Sequence, residues 1–484
     1  MAGGRESLYW LNHAFNTPLD VAGKVGVRVN AAGRQSARRI MLEAVPSART
    51  LVLHHPDCQL HLTGAYHQEH PLRLDAILGL MHASRQRPPS AGPPGGAAGA
   101  PARRSSPASV ASTAPLSAGS SASSANGAAN SSGGASGNSP STAAPPAGAP
   151  TANGNFGRHH APSSSYELPQ FELRESSDFA PATAAMLTRV HDPGYVAMVR
   201  AAATRMASQP PCSPVPLTPM VQQARGAATL KDPTTSDTKL SPGSYAAAIR
   251  AAGAVVSAID DVCAARARHA LCVVRPPGHH AGVRGLIPGS VSCGFCVFNS
   301  VMVGAAHALQ TLGRRVAIVD FDVHHGDGSE EIIRRLAGAH APGALFFSSI
   351  HLYDPGDASF GAFYPSSGAG DSMPHNIINV PLNPMWRKSA AQGKGAHRLA
   401  SGGASGSMSS PRVCGCGRAE WRSALAQRIV PALRAFSPDL ILLSAGFDGA
   451  CNDIGNSKLD SKEKYHQGLD LTAADFEVRP ARAA

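Results

Sequence analysis

The stretch that decides the fold is Val316-Ala-Ile-Val-Asp-Phe-Asp-Val-His-His-Gly-Asp-Gly328. It begins with a short apolar run, which is typical of a strand that is buried on both faces of a parallel sheet. It ends in a dense group of carboxylates and imidazoles. A buried strand that runs directly into such a group predicts a functional site at the carboxyl edge of an α/β sheet.

Strands and helices alternate on both sides of this stretch. Apolar strands are predicted at 51–53, 269–274, 345–350 and 440–444, and helices after Pro71 and at 245–265, 298–312, 329–336 and 420–436. A β-α-β-α order indicates a mostly parallel sheet with helices on both faces. The predicted fold class is therefore a three-layer α/β fold.

Composition separates this ordered part from the rest of the chain. The 484 residues include 49 Gly and 39 Pro, only 15% charged and 5% aromatic residues, and a net charge of +11. Residues 86–165 are almost only Ala, Gly, Ser, Pro, Thr and Asn, so they cannot bury enough apolar surface to offset the entropy of ordering. They are predicted to form a disordered insertion, and residues 388–417 a second, loose one.

These features also exclude several classes of protein. No apolar run approaches the roughly 20 residues of a membrane span. Nine cysteines at irregular spacing do not form a small secreted disulfide scaffold. The basic residues are scattered rather than clustered, so we expect no direct sequence-specific nucleic-acid binding and no membrane partner.

The resulting domain prediction has four parts. Residues 1–48 are an extension, for which an organelle-targeting leader is the alternative because the segment is rich in Arg and poor in acids. Residues 49–85 form the first segment of the folded domain, residues 86–165 are the insertion, and residues 166–478 form the remainder of the domain.

The polar residues that follow the strands predict a metal site. Asp322 and His324 alternate, so on an extended segment they point to one side. Asp448 follows the strand at 440–444 and can join them from a neighbouring strand end. Two carboxylates and one imidazole with an open position are the pattern of a catalytic Zn²⁺ site, whose metal can activate water and polarise a carbonyl.

Acid–base groups are predicted at the same edge. His279 and His280 follow the strand at 269–274, and imidazoles are the commonest acid–base catalysts. Asp320 and Asp327 could each hold one imidazole in orientation.

A pair of cysteines is a weaker signal. Cys293 and Cys296 have redox or zinc-ligand spacing, but no plausible second pair exists. Buried neutral thiols are therefore the favoured interpretation.

Four motifs together resemble those of the zinc-dependent histone deacetylases. They are Arg-Pro-Pro-Gly-His279-His280-Ala, Cys-Gly-Phe295-Cys-Val-Phe-Asn, the stretch from Asp320 to Gly328, and Ser-Ala-Gly446-Phe-Asp448. The segment from His55 to Arg73 is similar to the class II branch of that family. The resemblance covers residues 50–85 and roughly 175–478, and it implies an arginase-like fold.

The resemblance also assigns roles to residues. It implies one zinc ion bound by Asp322, His324 and Asp448, a pairing of His279 with Asp320, and a pairing of His280 with Asp327 in which His280 is the general base. The residues implied for substrate binding are the rim acid Asp237, the tunnel residues Gly294, Phe295 and Tyr364, and Gly446, with Arg73 at the floor of an internal cavity. A structural potassium site would use Asp320, Asp322, His324 and Ser349.

The function implied is that of a hydrolase acting on linear amides, which removes acetyl groups from N6-acetyl-lysine. Acetylated histone tails or other acetyl-lysine proteins are the implied substrates, a corepressor complex is an implied partner, and the nucleus, the cytoplasm or both are the implied compartments. The family carries a Glu-Gly-Gly-Tyr-like segment whose Tyr donates to the developing oxyanion. No such segment follows Asp448, so the sequence is expected to be C-terminally truncated or a weak catalyst.

Two alternatives stay open at this point. One is a zinc-bearing pseudoenzyme that binds acyl-lysine or partners without turnover, and the other is a deacetylase of acetylated polyamines or other small amides. A two-metal arginase-like hydrolase is disfavoured, because it would need an Asp-x-His-x-Asp pattern where His324 is followed by His325 and Gly326.

Overall fold

The structure is a computed structural model. It describes residues 24–27, 50–85, 173–208, 213–338, 343–357, 361–387, 417–460 and 462–476. These residues all belong to one compact unit. The predicted insertion at 86–165, residues 388–416 of the second, and the predicted extension at 1–48 apart from 24–27 lie outside the described residues.

Twelve strands in the described residues form one large sheet and two small ones. They are β1 Lys24–Val27, β2 Thr50–Leu53, β3 Leu173–Ser176, β4 Val215–Pro216, β5 Lys239–Leu240, β6 His269–Cys272, β7 Val316–Asp320, β8 Leu345–Leu352, β9 Ile377–Leu382, β10 Leu440–Ser444, β11 Ser457–Leu459 and β12 Tyr465–Gln467. The large sheet has the order β3-β2-β6-β1-β10-β7-β8-β9. Seven of these strands are mutually parallel, which confirms the predicted α/β class.

The described residues form ten α-helices, and the five helices that the sequence predicted lie close to their expected ranges. The ten helices are Leu72–Arg85, Ala184–Leu187, Pro193–Ala207, Leu217–Ala224, Ser244–Cys263, Ser300–Leu312, Asp327–Ala337, Arg418–Ala424, Val430–Phe436 and Ala473–Phe476. The helix predicted at 420–436 is interrupted by a π-helical segment, Leu425–Ile429. This irregularity comes directly before Pro431, which has no backbone N–H to donate and so disturbs the regular helical ladder. No described helix is long and apolar enough to cross a membrane.

β1 is one of three strands of the large sheet, with β3 and β9, that the sequence analysis did not predict. It lies between β6 and β10 and is antiparallel to both, with Val25 opposite Ala270 on one side and Leu442 on the other. Four residues of the predicted extension therefore supply main-chain partners to both of these strands.

The apolar core differs between the two faces of the sheet. On one face a single cluster spans the sheet from Leu51 to Phe347 beneath the helices Ser244–Cys263 and Ser300–Leu312. On the other face the core is divided into two clusters. One lies on β2 and β6 beneath the helix Leu72–Arg85, and the other on β7 to β10 beneath the helices around Trp421.

Candidate active site

The predicted metal ligands meet at the carboxyl ends of two neighbouring strands. Asp322 and His324 follow β7, and Asp448 follows β10. One ligand atom from each lies within 4.8 Å of the others. His324 Nδ1 is 3.0 Å from Asp322 Oδ1 and 2.9 Å from Asp448 Oδ2. The backbone N–H of Val323 donates to Asp448 Oδ1 at 2.9 Å and helps to fix that carboxylate.

The electrostatics of these three residues fit a divalent cation. Burial, together with the charge of Asp322, raises the pKa of Asp448 to about 6. Burial lowers the pKa of His324, but its contacts with Asp322 and Asp448 outweigh this effect and raise that pKa to about 10. A cation between the two converging carboxylates would relieve their mutual repulsion. Together with one imidazole, they form a donor set typical of catalytic zinc. These residues would hold a zinc ion.

Gly446 makes the close approach of the two strands possible. A Cβ atom at this position would overlap the side chain of Asp322. The resemblance assigned Gly446 to substrate binding, whereas the structure places it against a metal ligand. Any side chain here would therefore displace Asp322.

The two histidines form the predicted pairs with aspartates. His279 Nδ1 lies 3.0 Å from Asp320 Oδ2, and His280 Nδ1 lies 2.7 Å from Asp327 Oδ1. All four side chains are buried. Each aspartate therefore fixes one imidazole through Nδ1 and leaves Nε2 for chemistry, in the pairs that the resemblance implied.

The same surroundings separate the pKa values of the two histidines. Burial lowers the pKa of His279, but the carboxylates of Asp322 and Asp320 outweigh it and raise the pKa to about 9. Burial and the neighbouring charge of His279 lower the pKa of His280 to about 4. Near neutral pH, His280 is therefore the unprotonated member of the pair. Environments that push two pKa values apart are characteristic of acid–base assignments.

Two of the three predicted tunnel residues, Gly294 and Tyr364, lie against His280, and the third, Phe295, lies against His67. Gly294 and Phe295 have positive φ angles of 53° and 65°. A Cβ atom at Gly294 would overlap the imidazole of His280, so this position needs glycine. The ring of Tyr364 lies 4.9 Å from that of His280, and its hydroxyl donates to the carbonyl of Ser292 at 2.9 Å.

Phe363 is a site residue that the sequence analysis missed. Its ring stacks on His324 with centroids 5.0 Å apart and an interplanar angle of 9°. It is buried, and so it covers one face of a metal ligand. Its only sequence signal was its position beside Tyr364 in the Phe-Tyr-Pro motif.

Asp237 is half-buried and is held by two hydroxyl groups. Its Oδ1 accepts from Ser292, and from Thr238 at 3.1 Å. Its backbone carbonyl contacts His67 Nε2 at 2.5 Å, and the ring of His67 meets Phe295 edge-on with centroids 5.0 Å apart. These contacts place Asp237 next to the tunnel residues, in the neighbourhood where the resemblance located the rim acid.

The prediction for Arg73 differs from the structure. Its side chain is 52% exposed and pairs with Glu69, so it is not enclosed in a cavity. The buried arginine of this region is Arg275, which donates to the carbonyls of Cys58 at 3.1 Å and His61 at 2.6 Å. Arg275 takes the interior position because it satisfies those buried carbonyls, and it joins the first segment of the domain to the loop that carries the two histidines.

The remaining predictions near the site have simple outcomes. Cys293 and Cys296 are both buried. Burial raises the pKa of the Cys293 thiol to about 12, so these cysteines are neutral thiols, as predicted. Ser349 pairs in register with Asp320, and its hydroxyl lies 2.9 Å from His351 Nδ1.

Comparisons with known proteins agree with this geometry. The sequence model described as "Histone deacetylase domain" matches residues 158–480, more than half of the chain. Type-2 histone deacetylase 2 of Dictyostelium discoideum is 34% identical over 238 residues, which cover 47% of this chain and 12% of that protein. Polyamine deacetylase HDAC10 of Mus musculus is 34% identical over 213 residues, 44% of this chain and 26% of that protein.

A solved structure supports the fold. The crystal structure of the HDA15 HD domain matches with a TM-score of 0.51 and 22% identity, covering 89% of this chain and 77% of that one. The aligned part thus spans only about an eighth to a quarter of the two curated relatives, but most of the solved domain. The motifs, the sheet order and the match over more than half of its length show that this chain belongs to the histone deacetylase family.

Proposed function

We propose that this chain hydrolyses the acetyl amide of N6-acetyl-lysine in histones or other proteins, with one zinc ion bound by Asp322, His324 and Asp448. The observation that carries the proposal is the convergence of this metal-ligand cluster with two buried His–Asp pairs at one sheet edge. Such a combination suits amide hydrolysis, because the reaction needs carbonyl polarisation, a base for water and an acid for the leaving amine. A structural potassium ion at Asp320, Asp322, His324 and Ser349 is part of the proposal.

When bound, the zinc ion would polarise the acyl carbonyl and lower the pKa of a bound water. His280 then accepts the proton of the attacking water at Nε2, since Asp327 occupies its Nδ1. The low pKa of His280 keeps this nitrogen free at neutral pH. Burial of the pair excludes bulk water and strengthens every charge interaction at the site.

His279 is suited to the complementary role. Asp320 holds its Nδ1, and the nearby carboxylates favour its protonated form. A protonated imidazole beside the reacting carbonyl can donate to the departing lysine amine. The two histidines thus divide the acid and base roles between them.

The aromatic side chains around His280 suit an acyl-lysine chain. Phe295 and Tyr364 offer flat, largely apolar surfaces on either side of Gly294, where the absence of a side chain leaves room beside His280. A long methylene chain would pack between such surfaces while its amide reaches the metal. Asp237, at the rim, would accept a hydrogen bond from the backbone of the substrate.

A direct assay tests this function. Turnover of an acetyl-lysine peptide is measured with zinc added and with zinc removed by a chelator, for the unaltered chain and for His280→Ala. Loss of a general base typically lowers kcat about 10²–10⁴-fold, whereas a zinc-chelating hydroxamate should still bind the variant. Equal losses of turnover and of hydroxamate binding would show that His280 is structural.

Two other outcomes would favour the alternatives. Faster turnover of an acetylated polyamine than of the peptide would favour the activity that the name of the mouse relative states. Tight binding of the peptide with no zinc-dependent turnover of either substrate would favour a binding module.

A further inference from the structure

The active site is assembled from two halves of the large sheet. The strands β10, β7, β8 and β9 form one half, and the loops that follow β7 and β10 carry all three metal ligands. The strands β3, β2 and β6 form the other half, and the loop after β6 carries His279 and His280. β1 lies between β6 and β10, at the seam where the two halves meet.

We propose that Lys24–Val27 is a positioning segment that fixes the histidine half of the site against the metal half. We call it the clasp strand. The proposal rests on the proposed function, because it concerns the alignment of the same acid–base pair and metal ligands. It assigns a role in catalysis to a segment that lies outside the matched family region, residues 158–480.

Strand spacing makes the clasp strand necessary to the sheet. Neighbouring strands lie about 4.8 Å apart, so strands separated by one position lie roughly 9.5 Å apart and cannot form backbone hydrogen bonds to each other. Residues 24–26 pair with β6, and residues 25–27 pair with β10. The backbone ladder between the two halves therefore runs entirely through these four residues.

Core packing does not replace this ladder on both faces. One apolar cluster covers the seam on the side of the helix Ser244–Cys263. On the opposite side, the core of the described residues is divided into separate clusters that lie on either half. A loosened clasp strand would therefore allow the halves to separate on that side while each half keeps its own core.

The contacts that such a movement would lengthen are the catalytic ones. The His279–Asp320 and His280–Asp327 pairs, at 3.0 and 2.7 Å, both cross the seam. The three metal ligands do not cross it, since β7 and β10 are direct neighbours. A misplacement of about 1 Å in catalytic groups can lower the rate on the order of 10²-fold. Loss of the clasp strand should thus impair turnover and spare metal binding.

The sequence of the clasp strand makes it sensitive to change. Lys-Val-Gly-Val has a glycine in the strand interior, which weakens a strand. The strand also lies apart from β2 in the chain, across residues 28–49. A strand of four residues makes few backbone hydrogen bonds, so the loss of one should weaken its pairing.

The test removes one backbone donor. Val25→Pro in the full chain deletes an N–H from the ladder, and Val25→Ala, which keeps that N–H, is the matched control. We expect kcat to fall at least about tenfold in Val25→Pro only, with zinc affinity within about twofold of the control. Amides of β6 and β10 should exchange faster in hydrogen-exchange measurements, while those at the β7–β8 pairing keep their protection.

Several results would overturn the proposal. Equal kcat and exchange in the two variants would show that the clasp strand does no positioning. Parallel losses of zinc affinity and kcat would show general unfolding instead. Unprotected amides at 24–27 in the unaltered chain would refute it without any variant. A chain that has no turnover but shows the expected exchange pattern would refute only the proposed function.

Discussion

Acid should destabilise this protein through His191, a fully buried histidine below the histidine loop. Its Nδ1 donates to the carbonyl of Gly282 at 2.8 Å, and its Nε2 accepts the backbone N–H of Asn299 at 2.9 Å. Both nitrogens are satisfied only in the neutral ring. Burial accordingly lowers the pKa of His191 from 6.5 to about 4.

The sign and size of the effect follow from linkage. The unfolded chain binds a proton at His191 below pH 6.5, whereas the folded chain does not bind it until about pH 4. The contribution of neutral His191 to the free energy of unfolding is therefore fully present above pH 6.5 and is lost as the pH falls to 4. At 1.36 kcal/mol per pKa unit, this loss amounts to about 3 kcal/mol. Asn299 also donates to the carbonyl of Ala281 at 3.2 Å, so the catalytic loop should loosen together with His191.

Urea unfolding followed by tryptophan fluorescence at pH 7, 6, 5 and 4 measures this contribution. His191→Gln keeps a donor and an acceptor but does not titrate. As the pH is lowered, the free energy of unfolding of this variant should fall less steeply than that of the unaltered chain. The difference between the two proteins should shrink by about 3 kcal/mol between pH 7 and pH 4. Identical slopes in the two proteins would refute the assignment of a neutral buried imidazole. Other buried histidines, such as His61, contribute equally to both curves and cancel.

Three further predictions concern the site and its support. Asp448→Ala removes a charged ligand, so the zinc content after dialysis should fall from one ion per chain to well below one. Elemental analysis that finds the zinc content unchanged would contradict the ligand set. Gly446→Ala should weaken zinc binding at least about tenfold by displacing Asp322. The control Gly79→Ala, at an exposed position of the helix Leu72–Arg85 with open space around it, should leave zinc binding intact and stabilise the helix by up to about 1 kcal/mol. Arg275→Met should lower the free energy of unfolding by about 3 kcal/mol, because it removes the donor of the buried carbonyls of Cys58 and His61 and one of the two arginines that pair with Glu69. A loss within about 0.5 kcal/mol, roughly that of a surface change, would show that these groups find other partners.

The predicted metal ligands could be identified from sequence because of the parallel sheet. An apolar run such as 316–320, within an alternation of strands and helices, is typical of a parallel strand with two covered faces, and the carboxyl ends of parallel strands lie at one edge of the sheet. Asp322, His324 and Asp448 are therefore brought together by strand order alone. The two His–Asp pairs follow from the same rule, although their pairing came from the resemblance.

Contacts between distant loops could not be predicted in this way. Arg73 and Arg275 are both arginines near the first segment, and nothing local distinguishes the exposed one from the buried one. The difference depends on which guanidinium reaches the carbonyls of Cys58 and His61, and those lie more than 200 residues away from Arg275 in the chain. Phe363 likewise becomes a site residue only because its loop folds over His324.

The sequence by itself determined the α/β class, the edge of the sheet that carries the site and the chemistry of its ligands, because periodicity and residue type act locally. The tertiary structure alone decided that Lys24–Val27 lies between β6 and β10, since a four-residue segment with an interior glycine has no local preference strong enough to reveal a central strand. Its position depends on unpaired backbone groups of two strands that lie far away in the chain. The same long-range pairing joins the half of the sheet that carries His279 and His280 to the half that carries the metal ligands.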